Sequence, residues 1–155
     1  QRAGVEEHEA VGQASAAVAA MTLIGTIGIR YAEKAFASDN TTPDGLCLMQ
    51  IFTDMVNCGV RIVIMEVSSQ AFLSHRVDAL HFDTAIYTNL SADHIGQHEH
   101  PSFENYKSCK QKLFSMCDFA VLNRDDTYYA EFAAACRSPC AIGAAAAKLR
   151  RARAV

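Results

Sequence analysis

Three short apolar runs punctuate this chain, and they limit what it can fold into. Residues 61–67 read R-I-V-I-M-E-V, residues 84–90 T-A-I-Y-T-N-L and residues 119–122 F-A-V-L. Runs of this length, bounded by turn residues, are expected of strands covered on both faces in a parallel sheet. Between them lie stretches of helical period. Leu46, Leu48, Met49, Phe52, Met55 and Val56 recur at three- and four-residue steps after Pro43, which predicts an amphipathic helix capped by Asp44 and closed by Gly59. Phe103, Tyr106, Cys109, Leu113 and Phe114 do the same over residues 103–116. Residues 140–143 offer a fourth strand. Residues 23–28 (L-I-G-T-I-G) form a short β-type run whose glycines allow close backbone approach. Strands alternating with helices of this length call for right-handed crossovers, so the expected class is α/β, a parallel sheet flanked by helices.

The chain has 155 residues, enough for one domain. Its expected extent is residues 23–143, after an Ala-rich helical lead (residues 1–22) and before a basic low-complexity tail (residues 144–155). Half the residues are hydrophobic and 20% are charged, the balance of a globular protein. A net charge of −3 gives no electrostatic case for nucleic acid or an anionic membrane. No run approaches the roughly 18 apolar residues of a membrane span. The Ala-rich opening lacks the basic flank of a secretory signal, so a cytoplasmic location is expected. None of the six cysteines forms a C-x-x-C pair, and all are expected as reduced thiols, most of them buried.

Ligands of open parallel sheets collect at the carboxyl ends of the strands. That rule selects residues 66–69, 89–94 and 123–126. Glu66, at the end of a buried strand, needs compensation by a divalent cation, or else emerges at the edge and caps the next helix. His94, His98 and His100 form H-x3-H-x-H, which suits zinc, although Gly96, Glu99 and Pro101 equally describe a polar loop with solvated histidines. The turn at residues 40–44 (N-T-T-P-D) can hold an anion on free N–H groups and hydroxyls, or simply cap its helix. Lys110, flanked by Lys107 and Lys112, reads as a solvated helix lysine unless negative charge or a modification accompanies it. Residues 123–126 (N-R-D-D) suit a ribose or base edge, and also ordinary turn chemistry.

The order of these blocks says more than any one of them. Residues 65–78 (M-E-V-S-S-Q-A-F-L-S-H-R-V-D) resemble the signature of Mur ligases of the MurE type. Around them stand G-T-I-G from Gly25, N-T-T-P from Asn40, F-D-T-A-I-Y-T-N-L-S-A-D-H ending at His94, F-E-N-Y-K-S-C-K ending at Lys110, and V-L-N-R-D-D ending at Asp126. All six blocks keep the family's order and nearly its spacing, over about two-thirds of the chain.

The resemblance implies the central, ATP-binding domain of an enzyme of peptidoglycan synthesis, and so of cell-wall growth, cell shape and division. Such ligases use ATP and Mg2+ to activate the carboxylate of UDP-N-acetylmuramoyl-L-alanyl-D-glutamate, which the amine of lysine or meso-diaminopimelate then attacks. Thr41, Thr42, Ser68 and Arg76 match substrate contacts. Glu66 and His94 match magnesium ligands. Lys110 matches a lysine that the family carbamylates, turning a cation into an anion beside the metal. Asn123 and Asp126 match positions near the nucleotide. Ser74 departs from the glutamine common in the family. A larger departure precedes it: the family's G-T-N-G-K-T phosphate loop, which cradles ATP through backbone N–H groups and a lysine, has no counterpart among residues 1–22. The chain alone, expected as a monomer, is therefore expected to lack ligase activity and to fold poorly where a strand is missing. Two alternatives remain at this point: a module that binds the UDP-muramoyl peptide without catalysis, and a metal-dependent hydrolase built on Glu66 and the histidines.

Overall fold

The computed structural model describes residues 21–92, 95–96 and 99–143. The Ala-rich lead and the basic tail lie outside them, as do His94 and His98. The chain divides into two compact units, one running to Ala71 and the other from Phe72.

In the first unit, β1 (Met21–Gly25) turns through Thr26 and Ile27 into β2 (Gly28–Tyr31), and Ala32 and Glu33 lead on to β3 (Lys34–Phe36). Helix α1 (Gly45–Asn57) then returns the chain to β4 (Ile62–Met65), which lies parallel to β1 with Leu23 opposite Ile64. The sheet order is β3-β2-β1-β4. The run from Leu23 is therefore one strand and the start of a hairpin. Gly28 is needed there: its φ is +104°, and a Cβ would stand 2.5 Å from the Phe36 carbonyl oxygen.

Helix α1 ends as the sequence predicts, with Gly59 at φ +75° donating to the Val56 carbonyl. Its start differs, because Asp44 occupies the N-cap position without a side-chain cap. Its buried stripe is also narrower than predicted. Leu48 and Met55 are buried, whereas Leu46 and Val56 are 83% and 72% exposed. What fastens α1 is polar. The Asp54 carboxylate accepts from the Tyr31 hydroxyl and from the Lys34 ammonium, each at 2.5 Å, so the helix is tied to β2 and β3. Those donors, Lys34 first, hold the Asp54 carboxyl below its usual range. Strand β4 corrects a further expectation. Ile62, Val63 and Ile64 are all more than 40% exposed, so β4 is not covered on both faces, and among the described residues it pairs only with β1, at the edge of the sheet.

Helix α2 (Ser69–Leu73) carries the chain into the second unit, a three-stranded parallel sheet in the order β5-β6-β7. Its elements are β5 (Phe82–Tyr87), α3 (Phe103–Ser115), β6 (Cys117–Asn123), α4 (Tyr129–Ala134) and β7 (Pro139–Ile142). The parallel α/β arrangement read from the sequence holds here, and β7 is the fourth predicted strand. Ser102 begins α3 by accepting the Asn105 N–H at 3.2 Å. The core joins helices to sheet through aromatic rings. Tyr87 stacks on Phe132 at 4.0 Å between centroids, and Phe114 meets Phe132 edge-on at 5.4 Å. Leu122, Ala120 and Cys117 complete that core from β6.

The cysteines are free thiols, as expected, but most are not buried. Cys109 and Cys117 are, Cys136 is half-buried, and Cys47, Cys58 and Cys140 are exposed. Burial pushes the Cys109 and Cys117 thiols up, away from thiolate reactivity. No helix among the described residues is long and apolar enough to cross a membrane.

One carboxylate closes the open end of the second unit. Asp126 Oδ1 accepts from the Tyr87 hydroxyl at 2.5 Å and from the Tyr128 N–H at 2.9 Å, while Oδ2 accepts from the Leu90 N–H at 3.3 Å. Burial pushes its carboxyl up, but these donors outweigh burial and hold it below the usual range. A depressed carboxyl contributes stability above its unfolded value, about 4, and loses it as pH falls through the lower folded value. Asp126→Asn is expected to cost about 1–3 kcal/mol at neutral pH. It should also flatten the acid side of a urea-melt profile. An unchanged acid limb would show that Asp126 is not the group responsible. In the same unit Phe132→Ala, at a fully buried ring, is expected to cost about 3–5 kcal/mol by urea unfolding.

Candidate functional site

The polar residues of the first unit converge where β1 and β4 end. The parallel register carries the Glu66 N–H onto the Ile24 carbonyl at 2.8 Å, so Glu66 leaves β4 beside the β1–β2 turn. Its Oε2 accepts from Thr26 twice, at 2.9 Å from the backbone N–H and 2.7 Å from the hydroxyl. The carboxylate lies directly against the Gly25 α-carbon, where a Cβ would come within 2.7 Å of its Cδ. Glu66 therefore caps no helix. It is fixed by a turn on the neighbouring strand, and it remains exposed.

The turn before α1 approaches the same place. The Thr41 hydroxyl is 3.3 Å from that of Thr26. Thr42 is fully buried; its hydroxyl donates to the Glu66 carbonyl at 3.0 Å and accepts the Ser68 N–H at 2.9 Å, with the Ser68 hydroxyl 3.4 Å away. One buried hydroxyl thus satisfies two backbone groups beyond the last residue of β4, which would otherwise be costly to leave unpaired. Of the expected site residues, Thr41, Thr42, Glu66 and Ser68 are brought together. Thr26, from the G-T-I-G block, joins them; its role as a clamp on a residue forty positions later has no local signature.

Magnesium prefers hard oxygen ligands and keeps several waters, taking one or two carboxylates and phosphate oxygens. Glu66 fits that chemistry, being anionic, exposed and pre-oriented, with Oε1 carrying no hydrogen bond among the described residues. No group of three or more His, Cys, Asp or Glu suited to a metal occurs among the described residues. His94, the other expected metal ligand, lies outside them.

The remaining expected residues belong to the second unit. Arg76 is half-buried, next to His75, whose φ is +55° and whose Nδ1 lies 2.6 Å from Asp78. Asn123 donates to the Thr88 carbonyl at 2.8 Å and accepts the Asp125 N–H at 3.1 Å. With Asp126 it ties the end of β6 to the segment after β5, so both side chains engage their own backbone. His100 corrects the expectation of a solvated or zinc-binding imidazole. It is fully buried, with Nδ1 2.7 Å from Asn105 Oδ1 and its ring 5.1 Å from that of Tyr106.

Lys107 and Lys110 are set apart by their surroundings. Lys107 is paired with Glu104 at 2.9 Å and Glu131 at 2.7 Å, and its ammonium lies over the Phe103 and Tyr128 rings. Glu131 first, then Glu104, hold that ammonium above its usual value. Lys107 is thus a tie between α3 and α4. Lys110, one turn on, is half-buried over the Tyr106 ring at 5.0 Å and pairs with no carboxylate among the described residues.

Known proteins resemble this chain in sequence and in fold. Residues 9–150 match the Mur ligase middle domain. The UDP-N-acetylmuramoyl-L-alanyl-D-glutamate–2,6-diaminopimelate ligase of Caldanaerobacter subterraneus subsp. tengcongensis is 47% identical over 107 residues, 68% of this chain and 22% of that protein. The ligase of the same description from Solibacter usitatus is 43% identical over 125 residues, 77% of this chain and 24% of that one. A solved structure of such a diaminopimelate ligase superposes with a TM-score of 0.67 at 25% identity, covering 79% of this chain and 26% of its own. The chain thus spans about a quarter of the length of the proteins it matches. It belongs to the Mur ligase family, through the family's middle domain and in its MurE branch.

Proposed function

We propose that this chain serves an ATP-dependent ligase that adds lysine or diaminopimelate to UDP-N-acetylmuramoyl-L-alanyl-D-glutamate, and that by itself it binds the nucleotide–sugar peptide without turning it over. The observation that carries this reading is the Thr26–Glu66–Thr42–Ser68 constellation, a pre-oriented carboxylate and hydroxyls where parallel strands end.

Each residue has a role on this reading. Thr41 and Ser68 offer hydroxyls to the peptide part of the substrate. Thr42, already engaged, holds the segment after β4 in place, and Arg76 pairs with a substrate carboxylate. Glu66 and His94 would hold Mg2+, which neutralises charge on the phosphates when bound. Lys110 would be the carbamylated lysine, an anion in place of a cation. Asn123 and Asp126, with their side chains committed to the backbone, act on the nucleotide by shaping residues 88–92 and 124–128. A cytoplasmic monomer is the setting that the family resemblance suggests for this reading.

One feature of the sequence supports the reading of no turnover. No Gly-Lys-Thr occurs in it, although the family match begins at residue 9. Such a loop cradles the γ-phosphate through its N–H groups and lysine, and no Gly-Lys-Thr loop occurs among the described residues to do so.

Calorimetry with the UDP-muramoyl dipeptide and Mg2+, alongside an ADP-release assay, tests both halves. Binding without ADP release is expected. Release at the rate of a complete ligase would overturn the inactivity, and an absence of binding would overturn the substrate assignments. Thr42→Val keeps the shape but strands the Ser68 N–H and the Glu66 carbonyl. It is expected to cost about 1–3 kcal/mol of stability and to weaken dipeptide binding. Gly25→Ala should push Glu66 off its position, weakening Mg2+ binding while the fold of the second unit persists by circular dichroism. Unchanged Mg2+ affinity in that variant would remove Glu66 from the metal site.

A further inference from the structure

The proposed ligase role leaves His100, Asn105 and Tyr106 unused, although two of the three are buried. Tyr106 is 4% exposed, and its ring is held by its neighbours. The fully buried His100 ring lies 5.1 Å from it, anchored through Nδ1 to Asn105 at 2.7 Å, and Phe103 meets it edge-on at 6.3 Å. Four residues on, and therefore on the same face of α3, the Lys110 ammonium lies over this fixed ring, 5.0 Å from its centroid. The ring face is the negative side of an aromatic quadrupole; it attracts a cation and repels an anion.

We propose that Tyr106 is a positioning residue that holds Lys110 as the unmodified cation, so that the ring opposes carbamylation at Lys110 until bound charge draws the lysine away. This rests on the reading of Lys110 as the modified residue. The reaction it opposes involves carbon dioxide. One proton leaves the ammonium for solvent, and the nitrogen lone pair then forms a bond to the carbon of CO2. A C–O π pair moves onto oxygen, and a second proton leaves nitrogen. The product is an anion, which gains nothing from the ring face. The cation is favoured over it by the whole of the ring's attraction.

The experiment varies the ring while keeping its shape. In the full chain, Tyr106→Phe is compared with phenylalanines of increasing fluorination at position 106, which drain the ring face of negative charge. Two quantities are read at each step: the carbamate at Lys110 by 13C NMR in labelled bicarbonate, with Lys110→Ala as the blank, and the rate of Lys110 acetylation relative to the exposed Lys112 by mass spectrometry. Loss of the cation–ring attraction is expected to raise both by about two- to fivefold across the series, with Tyr106→Phe close to the parent. Thermal melts identify folded variants, and Tyr106→Leu extends the series by removing the ring altogether. A purely structural tyrosine would change the melts and leave both readouts level; level or falling readouts overturn the role proposed for Tyr106. If neither the parent chain nor any ring-weakened variant forms a carbamate at Lys110, the modification itself is refuted, and the acetylation series alone decides whether the ring restrains the amine.

Discussion

The first unit is organised around a carboxylate that has room only because residue 25 lacks a side chain. Glu66 is packed against the Gly25 α-carbon and takes two hydrogen bonds from Thr26. Everything around it follows from that placement. The parallel pairing of β1 and β4 delivers Glu66 to the turn, the turn requires Gly28 at positive φ, and Thr42 fastens the residues after Glu66 to the start of α1. A charge held this way costs little to keep exposed, and its orientation is fixed by the fold. The energy of ordering the side chain is spent in folding and not at binding.

The second unit solves a different problem with the same chemistry. Asp126 gathers Tyr87, Leu90 and Tyr128 at the end of the sheet, over a core in which Tyr87, Phe114 and Phe132 interlock. Here the carboxylate is consumed by its own chain and serves as a structural bolt. The contrast separates two acidic residues that look alike in sequence. Glu66 keeps an oxygen for a ligand, whereas both oxygens of Asp126 are engaged. Two of the three lysines of α3 divide in a similar way, Lys107 neutralised by Glu104 and Glu131 and Lys110 placed against a ring, with no carboxylate partner among the described residues.

Much of the second unit was legible in the sequence, because its strands are built around short apolar runs and its parallel pairing needs only intervening helices. The first unit was harder. The β2–β3 turn sets Ala32 at φ +48°, where a sequence reader looks for glycine or asparagine, so the hairpin left no punctuation. The apolar period of α1 revealed a helix, but period alone cannot say that Leu46 and Val56 would face outward while Asp54 does the fastening. In the site, residue types pointed to Thr41, Thr42, Glu66 and Ser68. The clamp from Thr26 could not be read, since it depends on strand register across forty residues. His100 was misjudged because a polar-looking loop hid a fully buried ring.

The central claim is that Glu66, set by Gly25 and Thr26, is the cation-binding end of this middle domain. Titrating the chain with Mn2+, a paramagnetic substitute for Mg2+, and following amide signals by NMR tests it directly. The account predicts selective broadening at Gly25, Thr26, Thr41 and Glu66, reversed by excess Mg2+ and lost in Glu66→Gln. Broadening centred elsewhere, or unchanged in Glu66→Gln, would contradict it.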